Sequence, residues 1–176
     1  MTAFEAYNLV SQGGGDDFQR AMDICEKAGS FCLIGGLAVN CYVDPVYTMD
    51  MDLVVAGGDL QKVERGLAAA GFGISEHPHS LNAEFPGSQL RIQFTTDPRY
   101  QDFPGRAEPH SIFGRSVPVA SLRDLVQGKI WAYSDARRRL SKRKKDELDL
   151  IRIGEKFPEI REALPTEIQS QFNPLQ

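Results

Sequence analysis

The 176-residue sequence lacks most of the marks that would set it outside the ordinary soluble class. No apolar stretch approaches the ~20 residues of a bilayer-spanning helix, so no membrane attachment is expected. Met1-Thr2-Ala3-Phe4-Glu5 has neither the basic start nor the apolar centre of a secretory signal, and the expected location is the cytoplasm. Cysteine is scarce. Cys25, Cys32 and Cys41 are odd in number, have no metal-knuckle spacing, and two lie among apolar neighbours, which predicts buried free thiols rather than a disulfide framework. No repeat or low-complexity tract occurs, and no serine, cysteine or histidine constellation suggests acyl transfer. Gly13-Gly14-Gly15 has no preceding strand and no following Lys-Ser/Thr, which makes it a flexible lead-in to a helix rather than a phosphate loop. His77-Pro78-His79 offers two histidines without further ligands, so a surface loop is expected there.

What is present fits one domain with a real hydrophobic interior. The formal charge of −4 conceals an uneven distribution: seven of the nine residues from Arg137 to Lys145 are basic, so the rest of the chain sums to −11. Periodicity and punctuation predict a helix capped by Asp16 or Asp17 and stopped by Gly29, a buried strand over 31–34, and a short helix over 37–42. Next come a strand over 49–55 and a helix from Asp59 to residue 70, ended by Gly71. Pro86-Gly87 predicts a hairpin between 81–85 and 88–95, with Leu90, Ile92 and Phe94 alternating. Residues 96–116 read as a long loop bordering a site. A strand over 117–120, a helix capped by Ser121 and running to about Ser134, and a helix over 146–155 follow, before Pro158 and Pro165 break the tail. The expected fold class is α/β in the broad sense (α+β), a mixed sheet flanked by helices. Residues 1–116 would form its core and 117–176 a helical part packed on it.

The richest stretch is Thr48-Met49-Asp50-Met51-Asp52-Leu53-Val54-Val55. Residues two apart on a strand share a face, so the carboxylates of Asp50 and Asp52 project side by side. Two adjacent anions repel unless a cation lies between them, and a hard divalent ion with oxygen preference, magnesium or manganese, suits such a pair. Gly35-Gly36 closes the apolar run before it, and glycine, lacking Cβ, lets an anion such as a triphosphate approach the main chain. Lys129 sits among apolar neighbours in a predicted helix. An unpaired ammonium there is costly, so it either snorkels outward or meets an anion. The run from Arg137 to Lys145 reads as a solvated face or as a contact for RNA or nucleotide, Trp131 and Tyr133 as core, and Asp146 and Asp149 as caps or partners of nearby cations.

Strand, Gly-Gly, helix and then a Thr-x-Asp-x-Asp strand resembles the core of the nucleotidyltransferase superfamily, the polymerase-β-like fold. The segment Val119-Ala120-Ser121-Leu122-Arg123-Asp124-Leu125 through Lys129, with Arg137 to Arg139 and Lys145-Asp146-Glu147-Leu148-Asp149-Leu150, is similar to its AbiEii/AbiGii toxin-like branch. The resemblance implies metal-assisted transfer of a nucleoside monophosphate from a nucleoside triphosphate to a hydroxyl of RNA, protein or a small molecule, and a cognate antitoxin as partner. It implies Asp50 and Asp52 as metal ligands and Gly35 and Gly36 at the phosphates, with Lys129, or a cation of the basic run such as Arg139 or Lys145, facing the leaving group. One position departs. The third carboxylate of the family lies in an apolar-Asp-apolar strand, and here that strand reads Ile92-Gln93-Phe94. A neutral amide ligates weakly and is no general base. With a tight turn at Pro86-Gly87, Glu84 would face Gln89, about 13 Å along the hairpin from Gln93, and Asp97 would lie as far the other way. A catalytically weakened or inactive nucleotide- or RNA-binding member, or a partner protein of a toxin–antitoxin-type pair, is therefore the alternative expectation.

Overall fold

The computed structural model describes residues 1–172. Its elements are α1 (Ala3–Val10), α2 (Gly14–Ala28), β1 (Phe31–Ile34), α3 (Gly35–Val39), β2 (Asp50–Val55), α4 (Leu60–Ala69), β3 (Gly73–His77), β4 (Ser80–Glu84), β5 (Arg91–Thr95), β6 (Glu108–Ile112), β7 (Arg115–Val119), α5 (Leu122–Ser134), α6 (Leu140–Lys156) and α7 (Thr166–Gln169). Seven strands form one mixed sheet in the order β3-β4-β5-β2-β1-β7-β6, with β2–β5 and β1–β7 parallel and the other pairs antiparallel. The expected α/β class, a mixed sheet flanked by helices, is what the chain adopts.

Alternation decides which face of the sheet is which. Met51 and Leu53 of β2, Ile92 and Phe94 of β5, and Leu81 and Ala83 of β4 are buried in one core cluster with Phe18 and Met22 of α2 and Val63 and Leu67 of α4. The intervening residues Asp50, Asp52, Arg91, Gln93, Asn82 and Glu84 share the opposite face. A second apolar cluster joins α3, α5, α6 and the C-terminal turns through Val39, Val43, Val126, Leu150, Ile153, Leu164 and Ile168.

Several elements differ from expectation, each for a local reason. Helix α1 was not anticipated. Thr2 caps it in a reciprocal capping box with Glu5, so two otherwise orphaned backbone donors are satisfied. Helix α2 starts at Gly14, its N-cap Gly13 is left-handed, and Asp16 and Asp17 lie in the first turn instead of capping. Residues 73–77 form β3, and His77-Pro78-His79 belongs to the β3–β4 hairpin. Within 96–116, β6 pairs with β7 around Phe113-Gly114, whose φ values of 51° and 78° suit a two-residue turn. The basic run is helical from Leu140 onward, because Lys142, Arg143, Lys144 and Lys145 are good helix formers and continue directly into the apolar-faced 146–156 segment.

The β4–β5 register also differs. Glu84 pairs with Arg91 and Asn82 with Gln93, so the connection is longer than a tight turn at Pro86-Gly87. Leu90 is pulled into the core at 2% exposure, and the Gln89 amide donates to the Ser11 carbonyl at 2.9 Å. Burying a leucine side chain is worth about 1.5–3 kcal/mol, more than the choice of turn type decides.

Candidate active site

Asp50 and Asp52 project from the polar face of β2, as the spacing requires, and Gln93 of β5 stands directly opposite Asp52. The hydroxyl of the buried Thr48 accepts from the Asp50 amide at 3.2 Å and fixes the entry to the strand. Gly35 ends β1 beside the same point, since Ile34 pairs with Asp52. Its φ is +73°, and a Cβ there would overlap the Asp52 carboxylate. Glycine is needed at 35 on both counts, backbone conformation and close approach.

The two carboxylates have different surroundings. Asp50 Oδ1 receives Arg91 through Nε and Nη2, each at 2.8 Å, while Oδ2 faces Lys142 Nζ at 3.2 Å and Lys145 Nζ at 3.7 Å. Partial burial pushes the Asp50 carboxyl up, but Lys142, Arg91 and Lys145 together hold it below the usual carboxylate range. Among the described residues, no group donates a hydrogen bond to the Asp52 carboxylate. Burial pushes its pKa up, the charge of Asp50 adds to that, and Lys129 and the α6 lysines only partly oppose it.

Lys129 meets anions, one of the two outcomes expected of it. Its ammonium lies 2.9 Å from Asp146 and 2.7 Å from Asp149, and attraction to that pair outweighs desolvation and raises its pKa. Arg138 also binds Asp146, at 2.8 Å. Arg152 binds Asp149 at 2.8 Å and continues to Asn40 Oδ1 at 3.1 Å and to the Asp44 carbonyl. Asn40 in turn holds Val46 through both its side-chain oxygen and nitrogen. This ion network ties α5 and α6 to the loop that leads into β2.

Two cavities open on the polar face and meet at Asp52, Gln93, Lys129, Arg138 and Asp146. The first, about 250 Å³, includes Gly36, Asp50, Glu84, Arg91, Lys142 and Lys145. The second, about 450 Å³, runs past Gly35 and Thr95 and has an aromatic wall of Tyr100, Phe103 and Trp131. A Cβ on Gly36 would come within 3.8 Å of Lys145, which places that glycine beside the cationic cavity. Arg139 stands at the start of α6 and lines neither cavity. Asp97 caps the turn after β5, pairs with Arg99 at 2.6 Å and lines the larger cavity.

Arg91 and Asn82 were not singled out from the sequence, Lys142 entered only as one cation of the basic run from Arg137 to Lys145, and Glu84 only as an acid expected too far along the hairpin from Gln93. Lys142 and Lys145 are three apart, and Asp146 and Asp149 continue the same helical face, a pattern that becomes legible once α6 is started at 140. Glu84 depends on the register. Facing Arg91, it is a diagonal neighbour of Gln93, about 7–8 Å away by ordinary sheet geometry instead of about 13 Å.

Among the described residues, no group of three or more His, Cys, Asp or Glu side chains is placed to hold a metal ion. Asp50 and Asp52 nonetheless fit one hard divalent cation. They share a face, the Asp52 carboxylate lacks a hydrogen-bond donor, and the Gln93 amide opposite supplies a neutral oxygen. The donor set does not match two such ions, because the third position carries no charge.

Solved structures share the fold on which this site is built. ANT(2")-Ia, solved in complex with adenylyl-2"-tobramycin, superposes with a TM-score of 0.62 at 15% identity over 90% of this chain and 98% of that one. The lincosamide antibiotic adenylyltransferase LnuA, lincomycin-bound, gives 0.51 at 15% identity over 85% and 96%. An antigenic nucleotidyltransferase-like protein from Paracoccidioides brasiliensis gives 0.54 at 18% over 98% and 87%. No curated protein matches at the sequence level. The fold is thus that of the nucleotidyltransferases. More narrowly, residues 18–172 match the model of the family described as nucleotidyl transferase AbiEii toxin, type IV toxin–antitoxin system, and the chain belongs to that family.

Proposed function

We propose that the protein is a metal-dependent nucleotidyltransferase that moves a nucleoside monophosphate from a nucleoside triphosphate to a hydroxyl acceptor, as the toxin of a toxin–antitoxin pair acting in the cytoplasm. The observation that carries this is the meeting of two unlike cavities at Asp52. Displacement at phosphorus is in line, so acceptor and leaving group approach and depart on opposite sides of the α-phosphorus. The cavity with Arg91, Lys142 and Lys145 suits departing pyrophosphate, and the larger one with the aromatic wall suits the acceptor. The acceptor oxygen forms a bond to the α-phosphorus, the bond from that phosphorus to the oxygen bridging to the β-phosphate breaks, and the hydroxyl proton passes to solvent or a nearby base.

Asp50 and Asp52 would hold a magnesium or manganese ion, with Gln93 beside them. When bound, that ion supplies charge neutralisation and polarisation at the phosphates. Gly35 and Gly36 leave the backbone open to the phosphates. Lys129, fixed by Asp146 and Asp149, holds the junction of the two cavities. No helix among the described residues is long and apolar enough to cross a membrane.

The test is incubation of the protein with each labelled nucleoside triphosphate, magnesium or manganese, and pools of RNA, protein and small molecules. Label is expected on one pool and lost in Asp50→Ala, whereas no label from any donor contradicts the proposal. A second reading, a nucleotide- or RNA-binding member with weak or no turnover, is favoured by the neutral Gln93 opposite Asp52. Gln93→Asp separates the two: turnover rises if the catalytic frame is intact, and a pure binder stays inert.

A further inference from the structure

Asp50 is held in a way that a simple metal ligand would not be. Both oxygens are occupied, Oδ1 by Arg91 and Oδ2 by Lys142 and Lys145. The two lysines come from α6, with side chains 43% and 41% exposed, and their flexible stems can swing without disturbing packing. The cavity they line carries four carboxylates (Asp50, Asp52, Glu84, Asp146) against five cations (Arg91, Lys129, Arg138, Lys142, Lys145), a formal +1. A bare divalent ion must displace cations from Asp50 and adds charge to a site already positive. The same ion arriving with a triphosphate brings more negative charge than positive, and gives the lysines a new partner.

We propose that Lys142 and Lys145 are positioning residues that clamp Asp50 in the nucleotide-free protein and pass to the polyphosphate when nucleotide enters. The metal ion and the nucleoside triphosphate then bind as one unit, and the ion alone binds weakly. This rests on the nucleotidyltransferase proposal above, and it adds that metal affinity is set by α6. Polyphosphate affinity depends on the same two lysines, which become its partners, and because coupling between ligands is reciprocal the polyphosphate tightens metal binding by the factor by which the metal tightens polyphosphate binding.

The probes are manganese(II), followed by electron paramagnetic resonance, and inorganic tripolyphosphate, followed by calorimetry. Each is tested alone on wild type, on the Lys142→Met/Lys145→Met double variant and on Lys144→Met. Lys144 is the control. It lies on the same helix, carries the same charge and pairs with Glu147 at 2.6 Å instead of Asp50. The double variant is expected to bind manganese about tenfold more tightly than wild type and tripolyphosphate about tenfold more weakly, with Lys144→Met unchanged in both, a coupling within the usual range. Manganese affinity that is unchanged or reduced in the double variant overturns the clamp. An equal gain in Lys144→Met also overturns it, because bulk charge would then be responsible. Adding Asp52→Asn to each background distinguishes failure of the underlying proposal: manganese binding that survives this change puts the ion elsewhere and contradicts the site itself.

Discussion

Helix α6 contributes to two ionic clusters that behave as opposites. Asp146 and Asp149 meet Lys129 where the side chains are almost fully buried, at 3–4% and 9% exposure. One turn earlier, Lys142 and Lys145 reach Asp50 from the edge of a cavity, and the neighbouring Asp52 receives no hydrogen bond among the described residues. The first cluster is anchored at every member: Arg138 and Arg152 hold the aspartates, and Arg152 reaches on to Asn40 and the Asp44 carbonyl. The difference teaches how to tell scaffold from site in one charged helix. Charge neutralised inside the protein fixes architecture, and charge left incompletely matched marks the candidate site.

The largest expected effect is at the unmatched end. Asp52→Asn should lower nucleotidyl transfer by at least about a thousandfold, the scale of removing a principal electrostatic contact at the reacting phosphate. The same change should stabilise the fold by up to about 1 kcal/mol, since it removes a half-buried charge that receives no hydrogen bond among the described residues. A fall in melting temperature would place Asp52 with the scaffold instead. At the matched end the order reverses. Lys129→Met should cost about 3 kcal/mol in urea denaturation, because it removes the ammonium shared by two buried aspartates and leaves each with a single arginine, while Asp50→Asn should cost under about 1 kcal/mol. Equal costs would erase the distinction.

Acid titration sharpens it further. Cations hold the Asp50 carboxyl below the usual range, so its stabilising contribution is complete above the ordinary aspartate value near ~4 and is lost as pH falls through the lowered folded value. Asp52 runs the other way. Its raised folded value makes it unfavourable to stability as pH climbs from the ordinary value through the raised one. Denaturation at pH 3 and pH 7 should therefore show the Asp52→Asn gain at the higher pH and not at the lower, and an Asp50→Asn loss that is full at pH 7 and smaller at pH 3. A gain from Asp52→Asn that is equal at both pH values would contradict the assignment. The smallest effect is expected at Arg139. It lines neither cavity, so Arg139→Ala should leave transfer and stability within measurement error, about 0.5 kcal/mol for the latter.

The framework was legible where local chemistry is strong. Strand periodicity placed Asp50 and Asp52 on one face, the Gly35-Gly36 break located the end of β1, and Ser121 capped α5, its Oγ accepting the Asp124 amide at 3.2 Å. What escaped depended on longer-range events. The register that brings Glu84 opposite Arg91 is set by burial of Leu90 and the Gln89–Ser11 hydrogen bond, neither visible in the turn residues. The β6–β7 hairpin hid behind proline and charge, because His110 and Pro109 do not look like strand residues until they pair with Val117 and Pro118. The cationic face of α6 was obscured by starting that helix at 146. Gln93 was the reverse case, a single side chain whose identity was plain from the sequence and whose place opposite Asp52 came from strand pairing.

The most direct test of nucleotidyl transfer follows the position of the label. Two preparations of the same nucleoside triphosphate, one with phosphorus-32 at the α-position and one at the γ-position, are incubated with the protein, a divalent ion and the acceptor pools. The expected result is α-label on an acceptor and γ-label in pyrophosphate. Label from the γ-position on an acceptor, or no transfer from either, would contradict it.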